Sequence, residues 1–79
     1  MPVTTMMSDR PRVTMFEVTV NGQWRTYELR HEPNYFGELP LSNTSNNYCT
    51  RVGEFRDIDH VREFFALYLR ATIHEELEI

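Results

Sequence analysis

The dipeptide Asn21-Gly22, set between two runs of alternating apolar and polar residues, constrains the fold more than any other feature of the chain. A two-residue hairpin turn of this kind needs positive φ at both central positions, which Asn and Gly tolerate best. The turn predicts antiparallel strands over residues 12–20 and 23–30, with Val20 opposite Gln23. Because the turn fixes the register, it also assigns every side chain of the hairpin to one of two faces.

One face of the predicted hairpin is apolar and the other is mixed. The apolar face holds Phe16, Val18, Val20, Tyr27 and Leu29. The mixed face holds Val13, Met15, Glu17, Thr19, Trp24, Thr26, Glu28 and Arg30. A mixed face is expected to meet water or a partner, and an exposed Trp is typical of binding hot spots. The alternative for Trp24, left open here, is that the N-terminal arm or the loop at 31–47 covers it.

The C-terminal segment predicts a helix from Asp57 to about Glu76. Asp57 is a favourable N-cap, and an apolar stripe follows at helical spacing. The stripe consists of Ile58, Val61, Phe64, Phe65, Tyr68, Leu69 and Thr72. We expect this stripe to lie across the apolar face of the hairpin. Before it, residues 38–41 predict a short edge strand, and residues 48–55, from Tyr48 onward, a third strand with a bulge or an end at Gly53.

These elements predict an α+β fold, in which a small antiparallel sheet is covered on one face by the C-terminal helix. The chain of 79 residues has room for one domain. We expect residues 12–79 to form that single α+β domain and residues 1–11 to be a flexible N-terminal arm, since they contain Pro2 and Pro11 and show no periodicity.

The charge balance is acidic, with 12 acidic and 8 basic residues and a formal net charge of −4. An acidic chain is unsuited to binding DNA or RNA directly, because phosphate neutralisation requires a basic surface. No segment has the composition of a signal peptide or the length of a transmembrane helix. We therefore expect a cytoplasmic protein, without direct nucleic-acid partners and without membrane partners.

Two groups of residues are candidates for chemistry. Asp57, Asp59, His60 and Glu63 are the densest set of potential metal ligands, but helix capping explains the aspartates equally well. Cys49 with His31, His60 or His74 could form a nucleophile pair, but such a pair needs contact in space and a third, orienting group. No local signature in the sequence supports one. A lone Cys in a strand is usually a small buried hydrophobe. We expect no cofactor, no metal and no catalysis; a small metal- or thiol-dependent enzyme is the remaining alternative.

Acidic residues predict a partner-binding surface in three places, and in two of these, the hairpin and the 31–47 loop, aromatic residues accompany them. The tail with Glu75, Glu76 and Glu78 would oppose the dipole of the predicted helix, so it is either a frayed end or a surface kept for a basic partner. The predicted partner-binding residues are Glu17, Trp24, Glu28, Tyr35, Phe36, Glu38, Glu75, Glu76 and Glu78. They favour non-enzymatic binding, by a monomer, of a protein with a basic surface.

A hairpin around Val20-Asn21-Gly22-Gln23, a helix from Asp57 to about Glu76 and an acidic excess together resemble the small phage-encoded inhibitors of the anti-CRISPR type. The likeness is one of type without a shared motif, so no functional residue is carried over from it. It implies that the protein acts in the cytoplasm of a bacterial host. It also implies that the partner is a CRISPR effector subunit whose basic, nucleic-acid-binding surface the protein blocks. The alternative is a small accessory or regulatory subunit of a bacterial assembly.

Overall fold

Five antiparallel strands and one short helix build the fold in a computed structural model that describes residues 12–45 and 49–79. The predicted N-terminal arm and Tyr48 lie outside the described residues. The elements, in chain order, are β1 (Val13–Val20), β2 (Gln23–Arg30), β3 (Leu39–Asn43), β4 (Thr50–Phe55), α1 (Ile58–Glu63) continuing as a π-helical stretch (Phe64–Tyr68), and β5 (Thr72–Glu78). The strands form one open sheet in the order β4-β3-β2-β1-β5, so the predicted α+β class is confirmed.

The hairpin has the predicted turn and register. Asn21 has a φ of 53° and Gly22 a φ of 80°, the left-handed conformations that the two-residue turn requires. Val20 pairs with Gln23, and the pairing continues in that register to Val13 opposite Arg30. Each strand of the hairpin therefore has one apolar and one mixed side, as the sequence predicts.

The core lies on the apolar side of the sheet. Its buried residues are Phe16, Val18, Val20, Tyr27, Leu29, Leu41, Phe55, Val61 and Phe65. The helical segment contributes Val61 and Phe65, and the Phe65 ring lies 5.2 Å from the ring of Phe16 and 5.0 Å from that of Tyr27. Phe65 thus contacts an aromatic residue of each strand of the hairpin.

The predicted edge strand at residues 38–41 is wrong in its position, because β3 lies inside the sheet between β2 and β4. Pro40 is compatible with this place. Thr44 donates its backbone N–H to the Thr26 carbonyl, so by strand alternation the missing N–H of Pro40 lies on the β2 side. There the β2–β3 pairing ends at Leu29–Leu41, so the missing N–H lies beyond the last paired residues of that ladder.

The predicted third strand is the fourth in the structure and begins at Thr50. Of the two alternatives predicted at Gly53, a bulge or a strand end, the structure has the bulge, and the strand continues to Phe55. Leu41 pairs with Gly53 and Ser42 with Arg51, so Val52 is the additional residue on β4. A bulge of this kind twists the strand locally and is common at sheet edges.

The prediction of a helix to about Glu76 is wrong: the helical segment ends at Tyr68 and residues 72–78 form β5. Arg70 takes a left-handed φ of 52°, which stops a right-handed helix. The Ala71 N–H then bonds the Phe65 carbonyl at 2.8 Å, closing the helix end. Beyond this turn the chain pairs with β1, whose second edge is thereby satisfied. Tyr68, predicted on the packed stripe, is 82% exposed.

Replacing Arg70 by glycine is expected to stabilise the fold. A left-handed conformation costs an L-residue about 1 kcal/mol relative to glycine, and Arg70 makes no ion pair among the described residues that would be lost. Chemical denaturation of Arg70→Gly should therefore give a free energy of unfolding about 0.5–1 kcal/mol higher than that of the parent chain. A free energy of unfolding below that of the parent chain would contradict the left-handed conformation of Arg70 at the end of the helix.

Candidate functional site

The mixed side of β1, β2 and β5, which we call the outer face, carries a groove of about 530 Å³. A bulge in β5 shapes it: Glu17 pairs with Glu75 and Val18 with Ile73, so His74 is an additional residue. His74 and Glu75 both line the groove as a result. The lining of this outer groove consists of Met15, Glu17, Trp24, His74, Glu75, Leu77 and Ile79.

Trp24 lies at the hairpin end of the outer groove and is 63% exposed. Its ring centroid is 4.5 Å from that of His74, and His74 Nε2 is 2.9 Å from Thr19 Oγ1. These contacts orient the indole while leaving most of its surface in solvent. The register predicts this outward position, and of the two alternatives left open for Trp24, cover by the described part of the 31–47 loop does not occur.

Two acidic residues line the same groove from neighbouring strands. Glu17 and Glu75 are directly paired residues of β1 and β5. Glu17 accepts a hydrogen bond of 2.9 Å from the Thr26 hydroxyl, whereas Glu75 forms no ion pair within the described ranges. Like charges on directly opposite strand positions are destabilising. The outer groove therefore combines apolar walls, an exposed indole and uncompensated negative charge.

The tail acids do not form one patch, because they belong to a strand and not to a helix. Strand alternation places Glu76 and Glu78 on the helix side of the sheet, opposite to Glu75. Arg62 donates to both carboxylate oxygens of Glu76, at 3.0 and 2.8 Å. Glu78 lies 3.5 Å from Arg12. Only Glu75 of the three contributes to the outer groove.

The Arg62–Glu76 pair joins α1 to β5. Hydrogen bonding to Glu76 is the main reason why the pKa of Arg62 is raised above its usual value, and Asp59, at 2.7 Å, adds to the effect. The Arg62 side chain is 44% exposed, so solvent screens much of the interaction. The pair is thus a link between two elements and contributes little to the total stability.

A double-mutant cycle measures this link. The changes Arg62→Ala and Glu76→Ala, alone and combined, should give a coupling free energy of about 0.5–1 kcal/mol, since the pair is bidentate but exposed. Urea denaturation supplies the unfolding free energies. Raising the salt concentration should reduce the coupling, and a coupling indistinguishable from zero at low salt would show that α1 and β5 are not joined in this way.

Tyr35 and Phe36 lie apart from the outer groove. They occupy a turn held by Asn34, whose Oδ1 accepts from the backbone N–H groups of Phe36 and Glu38, both at 2.9 Å. Tyr35 is 95% exposed. The turn follows the end of β2 remote from Trp24, about 20 Å away at the usual strand rise of about 3.3 Å per residue.

Glu28 lies between these two places, on the outer face. It is paired with Met15 of β1 and Ser42 of β3. The structure therefore brings Glu17, Trp24 and Glu75 together and places Glu28 near them, while the turn with Tyr35, Phe36 and Glu38 is a second, separate exposed site.

A second groove, of about 230 Å³, lies beside the helical segment and was not predicted. We call it the helix-side groove, and its lining is Glu54, Phe55, His60, Glu63, Phe64, Leu67 and Tyr68. Leu67 is 70% exposed. The π-helical stretch changes the angular spacing after Glu63, so a regular 3.6-residue period misplaces Tyr68.

The candidate chemical residues have other partners in the fold. Asp57 accepts from the His60 N–H at 2.9 Å, as predicted for an N-cap, and His60 Nδ1 accepts from the Arg56 N–H. His31 bonds Thr14. Cys49 is exposed, so the expectation of a buried cysteine is wrong. Within residues 12–45 and 49–79, no three His, Cys, Asp or Glu side chains are grouped as a metal site.

Comparisons of the chain with protein-family models, with curated proteins and with solved structures found no match. None of the helices in the described ranges has both the length and the apolar character needed to cross a bilayer.

Proposed function

We propose that this protein is a non-enzymatic binding protein whose outer groove docks onto a basic surface of a partner protein. The observation that carries the proposal is the pair Glu17–Glu75, two carboxylates opposed on neighbouring strands beside an exposed Trp24. A cationic side chain placed between the two carboxylates converts a repulsion within the fold into two favourable charge interactions.

Trp24 supplies the second element of the proposed interface. Aromatic residues, above all Trp, are enriched among the few residues that carry most of the binding free energy at interfaces. Met15, Leu77 and Ile79 provide apolar surface around the charges. Burial of the indole against a partner adds apolar contact, and an arginine of the partner can in addition stack on the indole ring.

The role we propose for this binding is inhibition, of the anti-CRISPR type that the chain resembles. A basic surface that normally receives guide or target nucleic acid is the partner surface that an acidic, aromatic face fits best, because the same arginines and lysines that neutralise phosphates pair with carboxylates. On this account the protein competes with nucleic acid for a CRISPR effector subunit.

The test is inhibition of target-DNA binding by a panel of purified CRISPR effector complexes, with and without the protein. For a complex that responds, Glu17→Arg and Glu75→Arg should each weaken inhibition about tenfold or more, and inhibition should decline as salt rises. Glu63→Arg is the matched control, since it changes the net charge equally on the other side of the sheet and should leave inhibition unchanged. Failure of every complex in the panel to respond would contradict the anti-CRISPR role.

The helix-side groove favours a second candidate function, that of an accessory subunit of a larger assembly. Leu67 and Tyr68 expose apolar surface around it, which a stably docked subunit would bury. Sedimentation of the isolated protein separates the candidates. Self-association that Leu67→Ser abolishes supports the subunit, whereas a monomer at all concentrations, as expected of an inhibitor, speaks against it.

A further inference from the structure

In the part of the chain that the structure describes, the sheet edge formed by β5 has no neighbouring strand. Strand β5 ends the strand order, and no strand of the described residues lies beyond it. The Ile79 N–H bonds the Val13 carbonyl at 2.8 Å, which sets the phase of the β1–β5 ladder. By the alternation of antiparallel strands, the N–H groups of Leu77 and Glu75 also point to β1, and those of Glu76 and Glu78 point outward.

We propose that β5 accepts an extended, arginine-rich segment of the partner protein as a sixth strand of the sheet. The outward N–H and C=O groups of Glu76 and Glu78 form the hydrogen bonds, in the manner of proteins that bind peptides by strand addition. This inference rests on the proposed function for the charge of the partner, and it adds the conformation of the bound segment and its place on the fold.

The negative charge of β5 favours a basic segment as the added strand. Three of its residues, Glu75, Glu76 and Glu78, are acidic, and Arg62 and Arg12 pair with the two on the helix side. Glu75 on the outer face has no such partner within the described ranges. A strand added beside β5 lies about 4.8 Å away, so every second side chain of that strand comes next to Glu75 and the outer groove. Arginine at those positions satisfies the charge.

A second copy of the chain is a poor occupant of the same edge. Two β5 strands could pair antiparallel with Leu77 of one copy opposite Leu77 of the other, and Glu76 of each copy would then face Glu78 of the other. If the two Glu76 residues were instead opposite each other, they would repel directly. Like charges on directly opposite positions are destabilising, and acidic side chains on a free edge are a known means of preventing self-pairing.

The other free edge fits a basic segment less well. Strand β4 carries one acidic residue, Glu54, and its carboxylate is already paired with Arg51 of the same strand at 2.9 Å. The bulge at Val52 also interrupts the regular spacing of its backbone groups. Strand β5 has a bulge of its own at His74, so charge is what favours β5 over β4 as the site of addition.

The test uses the full chain and a capped peptide of alternating Arg and Thr, labelled for fluorescence anisotropy. The control peptide has the same sequence with N-methylated backbone amides, so it keeps the charge and loses the hydrogen bonds. We expect the unmethylated peptide to bind and N-methylation to weaken binding at least about tenfold. Equal binding of both peptides would overturn strand addition while leaving charge-driven docking on the outer groove intact.

A pair of variants at one position separates hydrogen bonding from charge on the protein side. Glu78→Gln keeps the outward N–H and should weaken peptide binding about threefold or less. Glu78→Pro removes that N–H from an edge position, where proline is tolerated, and should weaken binding at least about tenfold. Equal effects of the two changes, or no binding of the peptide to the parent chain, would contradict the inference; the inhibition assay decides the proposed function independently.

Discussion

Phe65→Ala should lower the free energy of unfolding by about 3–5 kcal/mol, the usual cost of removing a fully buried phenylalanine ring. Phe65 has no exposed surface, and its ring contacts those of Phe16 and Tyr27, one from each strand of the hairpin. For a chain of 79 residues the expected total stability is roughly 4–12 kcal/mol. The substitution therefore removes a large share of it, and urea denaturation with circular dichroism measures the loss.

Phe64→Ala is the matched control for this prediction. The two phenylalanines are adjacent, and the sequence alone gives them equal weight. In the structure, Phe64 is only partly buried and contacts Phe55 and Tyr68 at the helix-side groove. We expect its loss to cost about 1–2 kcal/mol, in proportion to the smaller area removed from water. Equal costs at the two positions would contradict the central place of Phe65 in the core.

Trp24→Ala should weaken partner binding about 30-fold or more, with almost no change in the melting temperature. A hot-spot residue contributes about 2 kcal/mol or more to binding, and each 1.4 kcal/mol is tenfold in affinity. The indole is largely exposed in the free protein and lies outside the core, so the fold loses little. Titration calorimetry with a responding effector complex, or with the alternating Arg-Thr peptide, measures the change.

Tyr35→Ala is the control for Trp24→Ala. Tyr35 is the more exposed aromatic residue of the two, but it lies on the turn at the remote end of β2. If the outer groove is the interface, this change should alter the affinity less than about threefold. A larger loss at Tyr35 than at Trp24 would move the interface to the turn that Asn34 holds.

The hairpin could be predicted in full because its determinants are local. Asn21-Gly22 allows one turn geometry, and the alternation on either side fixes a single register. The core residues of β1 and β2 follow directly from that register, and so does the outward position of Trp24. The interior position of β3 does not follow from the sequence, because it depends on pairings with both β2 and β4 that no turn motif specifies.

The end of the helix could not be predicted from the period of apolar residues. The spacing from Ile58 to Leu69 is helical and Thr72 continues it, so the pattern does not mark the left-handed Arg70. After Arg70, every second residue from Glu75 to Ile79 lies on the outer face, the two-residue period of a strand. The bulge at His74 interrupts this period, so the sequence does not display it clearly. The intrinsic propensity of residues 72–78 favours a helix, but pairing of this segment with the open edge of β1 outweighs that propensity.

The candidate site was predictable to the same extent as the strands that build it. Glu17 and Trp24 follow from the hairpin register. His74, Leu77 and Ile79 line the groove with them because β5 lies beside β1. Glu76 and Glu78 do not line it, because strand alternation in β5 places them on the other side of the sheet. Tyr35 and Phe36 share the composition of the site, but the length of β2 separates them from it.

The central claim, that the outer face with its β5 edge binds a basic partner, is tested most directly by NMR titration of the protein with the alternating Arg-Thr peptide. We predict that the largest shift changes occur at the Trp24 indole N–H, the methyl groups of Met15 and Leu77, and the backbone N–H groups of Glu76 and Glu78. Changes concentrated at Phe64, Leu67 and Tyr68, with the Trp24 signal unmoved, would contradict it.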